Sequence, residues 1–201
     1  MLYEHQGNAP HIDPSAWIAP NAVVCGAVTV GPRCQIGYGA VLVAEGGRID
    51  LGQQVIVRDH AVLRASKRHP IKVGDFTLIG PGACLFGCTI GNGVFLATRA
   101  TVFYAAVVHD KAEVRVNGVV HVASVVPKGA TVPIGWIAVG DPAQFLPPEA
   151  HDRIWAIQEP LNFPAVAYGL DRLPGGGVDM REVTARLASS SSAHRNDQRL
   201  E

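Results

Sequence analysis

"VGDFTLIGPGACLFGC", Val73 to Cys88, carries three aliphatic residues at a spacing of six: Val73, Ile79 and Leu85. Thr77 and Ala83, four places after the first two, are short. A period of six matches neither the ~3.6 residues of a helical turn nor the alternation of a two-sided strand. It matches short strands joined by tight turns, each burying one aliphatic and one small residue in a narrow solenoid.

Upstream the same phase runs through Ile18, Val24, Val30, Ile36 and Leu42, with Ala22, Val28, Cys34 and Ala40 at the small positions, and restarts at Leu51, Val57 and Leu63. Downstream one residue is dropped, and Ile90, Leu96, Val102, Val108, Val114, Val120, Val126 and Val132 follow. A valine-rich β-sandwich is the competing reading, and so many in-phase hexads speak against it. Glycine often follows the aliphatic (Gly31, Gly37, Gly52, Gly74, Gly80, Gly91), as tight corners favour. "AEGGRID" (Ala44 to Asp50) and "RASKRHP" (Arg64 to Pro70) break the period and are expected to be loops on one face, often the binding face of a solenoid.

The expected domains are a β-helix over 1–146, a helical segment over 147–188 that packs on the solenoid's open end, and a disordered tail over 189–201. Within the middle segment, Pro148 to Glu159 sets Ile154 and Ile157 on one side of a helix. "LPGGG" reads as a linker and "VDMREVTARLA" as a second helix. The last two residues have the look of a cloning scar.

Lysine plus arginine, 17, equals aspartate plus glutamate, 17, so no net charge draws the chain to nucleic acid or to an anionic membrane. No apolar run approaches the ~20 residues of a membrane span, and the N-terminus lacks the apolar core of a signal peptide. Cys25, Cys34, Cys84 and Cys88 form no CxxC pair and read as reduced core residues of a cytoplasmic protein.

"IGPGACLFGCTIG", Ile79 to Gly91, resembles the γ-class carbonic anhydrases. The likeness extends over Ile18 to Leu146 and includes "VLVAEGGRIDLG", "VIVRDHAVL", "SVVPKGATVP" and "AVGDPAQFL". It implies a left-handed parallel β-helix, all-β with a C-terminal helix, assembled as a homotrimer with sites between subunits. The positions that would carry the family's zinc histidines hold Arg64, Pro81 and Phe86. Those of its "RGD" arginine and aspartate hold Val43 and Glu45, and its "IQD" glutamine becomes Arg58 while the aspartate survives as Asp59.

Proline and phenylalanine side chains have no lone pair for a metal, and arginine offers only donors. Without an ion nothing brings the pKa of water from ~15.7 toward ~7. The expectation is therefore no metal at that position, no carbonic anhydrase activity and no cofactor. A relocated site lacks HxH or HxxxH spacing; His60, His69, His109 and His121 read as surface or interface histidines.

In place of the ion the sequence offers Arg58, Arg64, Lys67, Arg68 and Asp59, with Phe86, Phe103 and Tyr104 as an apolar wall. That set suits a small organic anion: a carboxylate, a phosphate or an acyl-CoA. The competing reading has Arg58 and Arg64 pairing with Asp59, Glu45 or Asp50 only to hold subunits together. Any acid–base chemistry would fall to His121, His69, Tyr104 or Glu45. Two further readings stand: an acyltransferase taking a CoA thioester as substrate, and a non-catalytic scaffold trimer.

Overall fold

Mostly short strands of two or three residues, with longer ones at Val23–Val30, Val41–Leu51 and Val62–Ser66, stack into three flat faces, and the computed structural model describes residues 1–200. The chain is a left-handed parallel β-helix with a helical C-terminal segment. The first face stacks Val24, Leu42, Leu63, Leu85, Val102, Val120 and Ala138 in direct register. On the second, Val30, Leu51, Val73, Ile90, Val108 and Val126 align. The third aligns Ile18, Ile36, Val57, Ile79, Leu96, Val114 and Val132. Nearly all of these aliphatics are fully buried, and so are the small partners Ala22, Cys34, Ala40, Ala83 and Ala100.

Two small positions are polar and are satisfied inside. The Thr77 hydroxyl donates to the Gly91 carbonyl at 3.0 Å, and the Ser124 hydroxyl accepts from the Gly140 amide at 3.0 Å. This is the usual condition for burying a hydroxyl.

The glycines after the aliphatics have a different purpose from the one the sequence suggests. A Cβ on Gly31 would lie 2.3 Å from the Gly52 carbonyl oxygen, and one on Gly52 would lie 2.3 Å from an Asp75 carboxylate oxygen. They give the next coil room. The left-handed backbone of the corners falls on later residues, such as Arg33, Gln54 and Phe76.

The interruption at Ala44–Asp50 is not a loop. It lies within one strand, Val41–Leu51, that spans the first and second faces. The break at Arg64–Pro70 continues the strand Val62–Ser66, then closes a turn in which Ser66 and His69 exchange backbone hydrogen bonds.

After a terminal hairpin, Ile137–Val139 with Gln144–Leu146, come α1 (His151–Gln158), α2 (Phe163–Tyr168) and α3 (Met180–Ser192). Ile154 and Ile157 of α1 pack on Val139 and Leu146, as their spacing predicts. Asp179 caps α3, accepting from the amides of Arg181 and Glu182. No helix was expected at α2.

The expected disorder of 189–201 is a correction for the described residues. Ser189–Ser192 complete α3, Ala193–Asn196 form a 3-10 turn, and Gln198–Leu200 pair antiparallel with Leu2–Glu4. The strand Leu2–Glu4 in turn lies parallel to Val24 and Cys25. Tail and N-terminus thus extend the first face by two strands and cover its open edge. A serine-rich composition gives no local hint of this, because the order comes from a partner at the opposite end of the chain. Glu201 lies outside the described residues, and no helix among them is long and apolar enough to cross a membrane.

The core columns make a direct prediction. Leu85→Ala removes a fully buried side chain from the middle of the first face. Chemical denaturation should show a loss of about 3 kcal/mol; a loss under ~1 kcal/mol would mean that this column is not close-packed.

Candidate functional site

Outward-pointing residues that follow the first-face aliphatics form a second column. Cys25, Val43, Arg64 and Phe86 are successive Cα partners, and Phe103 and His121 extend the line by following Val102 and Val120. Arg64 and Phe86 are therefore neighbours on adjacent coils.

The upper half of the column is aromatic and covered by the chain itself. Phe86 stacks on Phe103 with centroids 5.8 Å apart. Phe163 of α2 meets Phe103 edge-on at 5.7 Å and His121 at 6.2 Å. Tyr104 leans on Phe86 at 5.8 Å and on His69 at 5.4 Å. Aromatic pairs of this kind add to the burial that holds α2 in place.

Two residues expected at a ligand instead hold α2. A ring nitrogen of His69, Nε2, lies 2.8 Å from the Val166 carbonyl, and Arg68 donates to the Ala165 carbonyl at 3.2 Å. The Ala165 carbonyl also accepts from the Gly169 amide that caps α2, so Arg68 shares it, and a cation near a helix C-terminus is favourable.

Burial shifts two of the candidate acid–base groups. Burial lowers the pKa of His121, outweighing a backbone hydrogen bond at Val122 that raises it, so its ring is neutral. Burial, with Tyr168 and Glu45 adding, raises Tyr104, which keeps its phenolic proton.

The lower half of the column is polar. Arg64 pairs with Glu45, and Glu45 also lies 3.3 Å from Nε2 of His194. The other nitrogen of that ring, Nδ1, is 2.8 Å from Asp197. A second oxygen of Asp197 meets Nδ1 of His5 at 2.6 Å, and Cys25 Sγ is 3.3 Å from the carboxylate. The His5 and His194 rings stack at 4.3 Å. A cavity of about 310 Å³ opens here, lined by Tyr3, Val43, Arg64, His194 and Asp197 among others.

Burial would raise Asp197, but hydrogen bonds from His5, His194 and Cys25 outweigh it and hold the carboxyl below the usual range. Burial and that carboxylate push the Cys25 thiol up to about 12. Cys34 and Cys88 are buried core residues as expected; Cys25, though buried, faces this polar cluster instead of the solenoid core.

Arg58 and Asp59 belong to the third face. Asp59 accepts from the Tyr38 amide at 2.8 Å, fixing the preceding coil. Arg58 is exposed and lines two cavities: one beside Trp17 and Tyr38, about 230 Å³, and one beside Pro81 and Ala97, about 320 Å³. It makes no ion pair among the described residues, and neither does exposed Lys67. Within one chain, then, Arg64 and Phe86 lie on one face while Pro81 and Arg58 line cavities on another.

At the three positions to which the resemblance assigns zinc ligands, the groups do not fit an ion. A guanidinium paired with Glu45, a proline in an apolar cavity wall and a phenyl ring stacked on Phe103 supply no lone pair.

The sequence did not single out His5, His194 or Asp197. Only the HxxD spacing of His194 and Asp197 hinted at a pair, and it sat in a segment read as disordered.

The bacterial transferase hexapeptide model, of six repeats, matches residues 9–44. An uncharacterised protein of Dictyostelium discoideum is 32% identical over 144 residues, 69% of this chain and 56% of its own length. The protein named gamma carbonic anhydrase 1, mitochondrial, of Arabidopsis thaliana is 31% identical over 144 residues, again 69% of this chain and 50% of its own. The chain thus spans about half the length of the curated relatives it matches. A hexapeptide transferase family protein from Anaplasma phagocytophilum has a solved structure that aligns with 84% of this chain and 97% of its own, at 29% identity and a TM-score of 0.46.

The half-buried His121 ring gives a pH test. Its folded pKa is lowered, so as pH falls through the ordinary histidine value of ~6.5 the unfolded chain binds a proton that the native ring refuses. Native stability should fall there, and the NMR ring signals of His121 should keep their neutral shifts until lower pH. A His121 titration at the ordinary value would contradict its burial.

Proposed function

We propose that this chain, a hexapeptide-repeat protein similar to the γ-class carbonic anhydrases, is a homotrimer without their zinc site that binds a small organic anion between subunits. The observation that carries the reading is the division of labour between faces. Arg64 and Phe86 stand together on the first, while Arg58 and Pro81 line cavities on the third. A composite site needs a second copy to bring those faces together, as the resemblance implies for its family.

At such a junction Arg58 enters without a carboxylate partner, next to an Arg64 whose charge Glu45 already balances. An anion carried in by the ligand then faces an excess of one positive charge, with Lys67 exposed nearby in sequence. A guanidinium fork suits a carboxylate or a phosphate and gives two parallel hydrogen bonds. Carbonic anhydrase chemistry has no place in this site, because no group in it makes hydroxide from water at neutral pH.

The acyltransferase reading has less support. The turn that carries His69 is short, and its ring is engaged by α2. Phe86, Phe103 and Phe163 give a scaffold reading some weight as a packed wall, but they leave Arg58 unexplained.

Light scattering should give three times the 21.3 kDa chain mass, and CO2 hydration should be absent. Carboxylates, phosphates and CoA thioesters should be screened by thermal shift. The stabilising class should lose its effect in both Arg58→Ala and Arg64→Ala. A monomer in solution, or a ligand response unchanged in both variants, overturns the proposal.

A further inference from the structure

The cluster at the lower end of the first-face column has the composition of a metal site. His5 Nδ1, Cys25 Sγ, His194 Nδ1 and an Asp197 oxygen lie within 4.8 Å of one another. We propose that these four residues bind a divalent transition ion of the zinc type, tying the C-terminal tail to the N-terminus and the first coil. Nothing in the anion reading depends on it, and none of these positions is among those the resemblance assigns to zinc.

The donor set of two imidazoles, a thiolate and a carboxylate suits a borderline-soft ion with tetrahedral preference. Such an ion sits ~2.0–2.3 Å from its donors, which places the donors roughly 3–4 Å apart. The present cluster is near that size: Asp197 lies 2.6, 2.8 and 3.3 Å from His5, His194 and Cys25. The donors come from three stretches of backbone that the fold already fixes: the N-terminal turn at His5, the strand Val23–Val30, and the 3-10 turn Ala193–Asn196 with its cap Asp197, which carries both His194 and Asp197. His5 and Cys25 are each only 3% exposed.

Two further observations fit an ion at this place. Both nitrogens of His194 face carboxylate oxygens, Nδ1 toward Asp197 and Nε2 toward Glu45. Each such pair needs a positive centre between nitrogen and oxygen, either a proton or a metal.

Second, Glu45 occupies the place of an outer-shell partner. It accepts from Nε2 of His194 and is itself held by Arg64, an arrangement that fixes the ring and frees Nδ1 for a metal. On binding, each imidazole is neutral with its one proton on Nε2 and gives the Nδ1 lone pair to the ion, any proton displaced from Nδ1 moving to Nε2 or to solvent. The thiol proton of Cys25 leaves to solvent. Four protein donors fill a tetrahedral shell, so the ion is structural and no water need complete it.

Cobalt(II) titration of the full chain, freed of metal by chelator, tests this. The expected result is one ion per chain, with visible bands of tetrahedral intensity and a near-ultraviolet thiolate-to-cobalt band. Cys25→Ser should abolish the thiolate band, and His194→Ala should weaken affinity at least tenfold. His151→Ala, at an exposed histidine outside the cluster, should change neither. Zinc should slow amide exchange at Gln198–Leu200 in the parent chain and not in His194→Ala.

Failure to bind cobalt or zinc stoichiometrically overturns the proposal while leaving the anion reading intact. Binding that persists undiminished in Cys25→Ser and His194→Ala also overturns it, and would place the ion elsewhere.

Discussion

Parallel stacking at one fixed register governs this molecule. Each coil hydrogen-bonds to the next along three faces, so any residue sits directly over its equivalents above and below, ~4.8 Å away. The register leaves room inside for one aliphatic and one small side chain per hexad. It also leaves little room between coils at the corners, where a Cβ on Gly31 would meet the backbone of Gly52. Outside, the same register turns sequence spacing into columns. The line from Cys25 to His121 is one such column, and the candidate chemistry of the chain is distributed along it.

What covers that column is the chain's own C-terminal segment. Phe163 and the carbonyls of Ala165 and Val166 occupy the aromatic half and engage Arg68 and His69. His194 and Asp197 occupy the polar half and engage Glu45, His5 and Cys25. Arg64 stands between the halves, its charge matched by Glu45. The site expected from the solenoid alone therefore loses Arg68 and His69 to a structural contact and gains a polar cluster. Arg58 and Lys67 keep their charge uncommitted among the described residues.

The parts of the site that sequence made legible are those set by the repeat. Leu42, Leu63, Leu85, Val102 and Val120 fall in one column as their spacing requires, and Val57, Ile79, Leu96 and Val114 in another. The outward neighbours Val43, Arg64 and Phe86 follow without further information. Misread were the segments outside the repeat. "AEGGRID" has the glycines of a loop, yet it spans two faces as one strand because its neighbours above and below offer a ladder. The serine-rich tail has the composition of disorder, yet it pairs with Leu2–Glu4.

By itself the sequence determined the solenoid, its columns, and the absence of lone pairs at Arg64, Pro81 and Phe86, since periodicity and side-chain chemistry are local properties. Only the tertiary structure decided that His5, Cys25, His194 and Asp197 meet. They come from opposite ends of the chain, and no periodicity links them. Their convergence follows from an antiparallel strand pairing between the two termini, which depends on backbone hydrogen bonds that any sequence of similar shape can make.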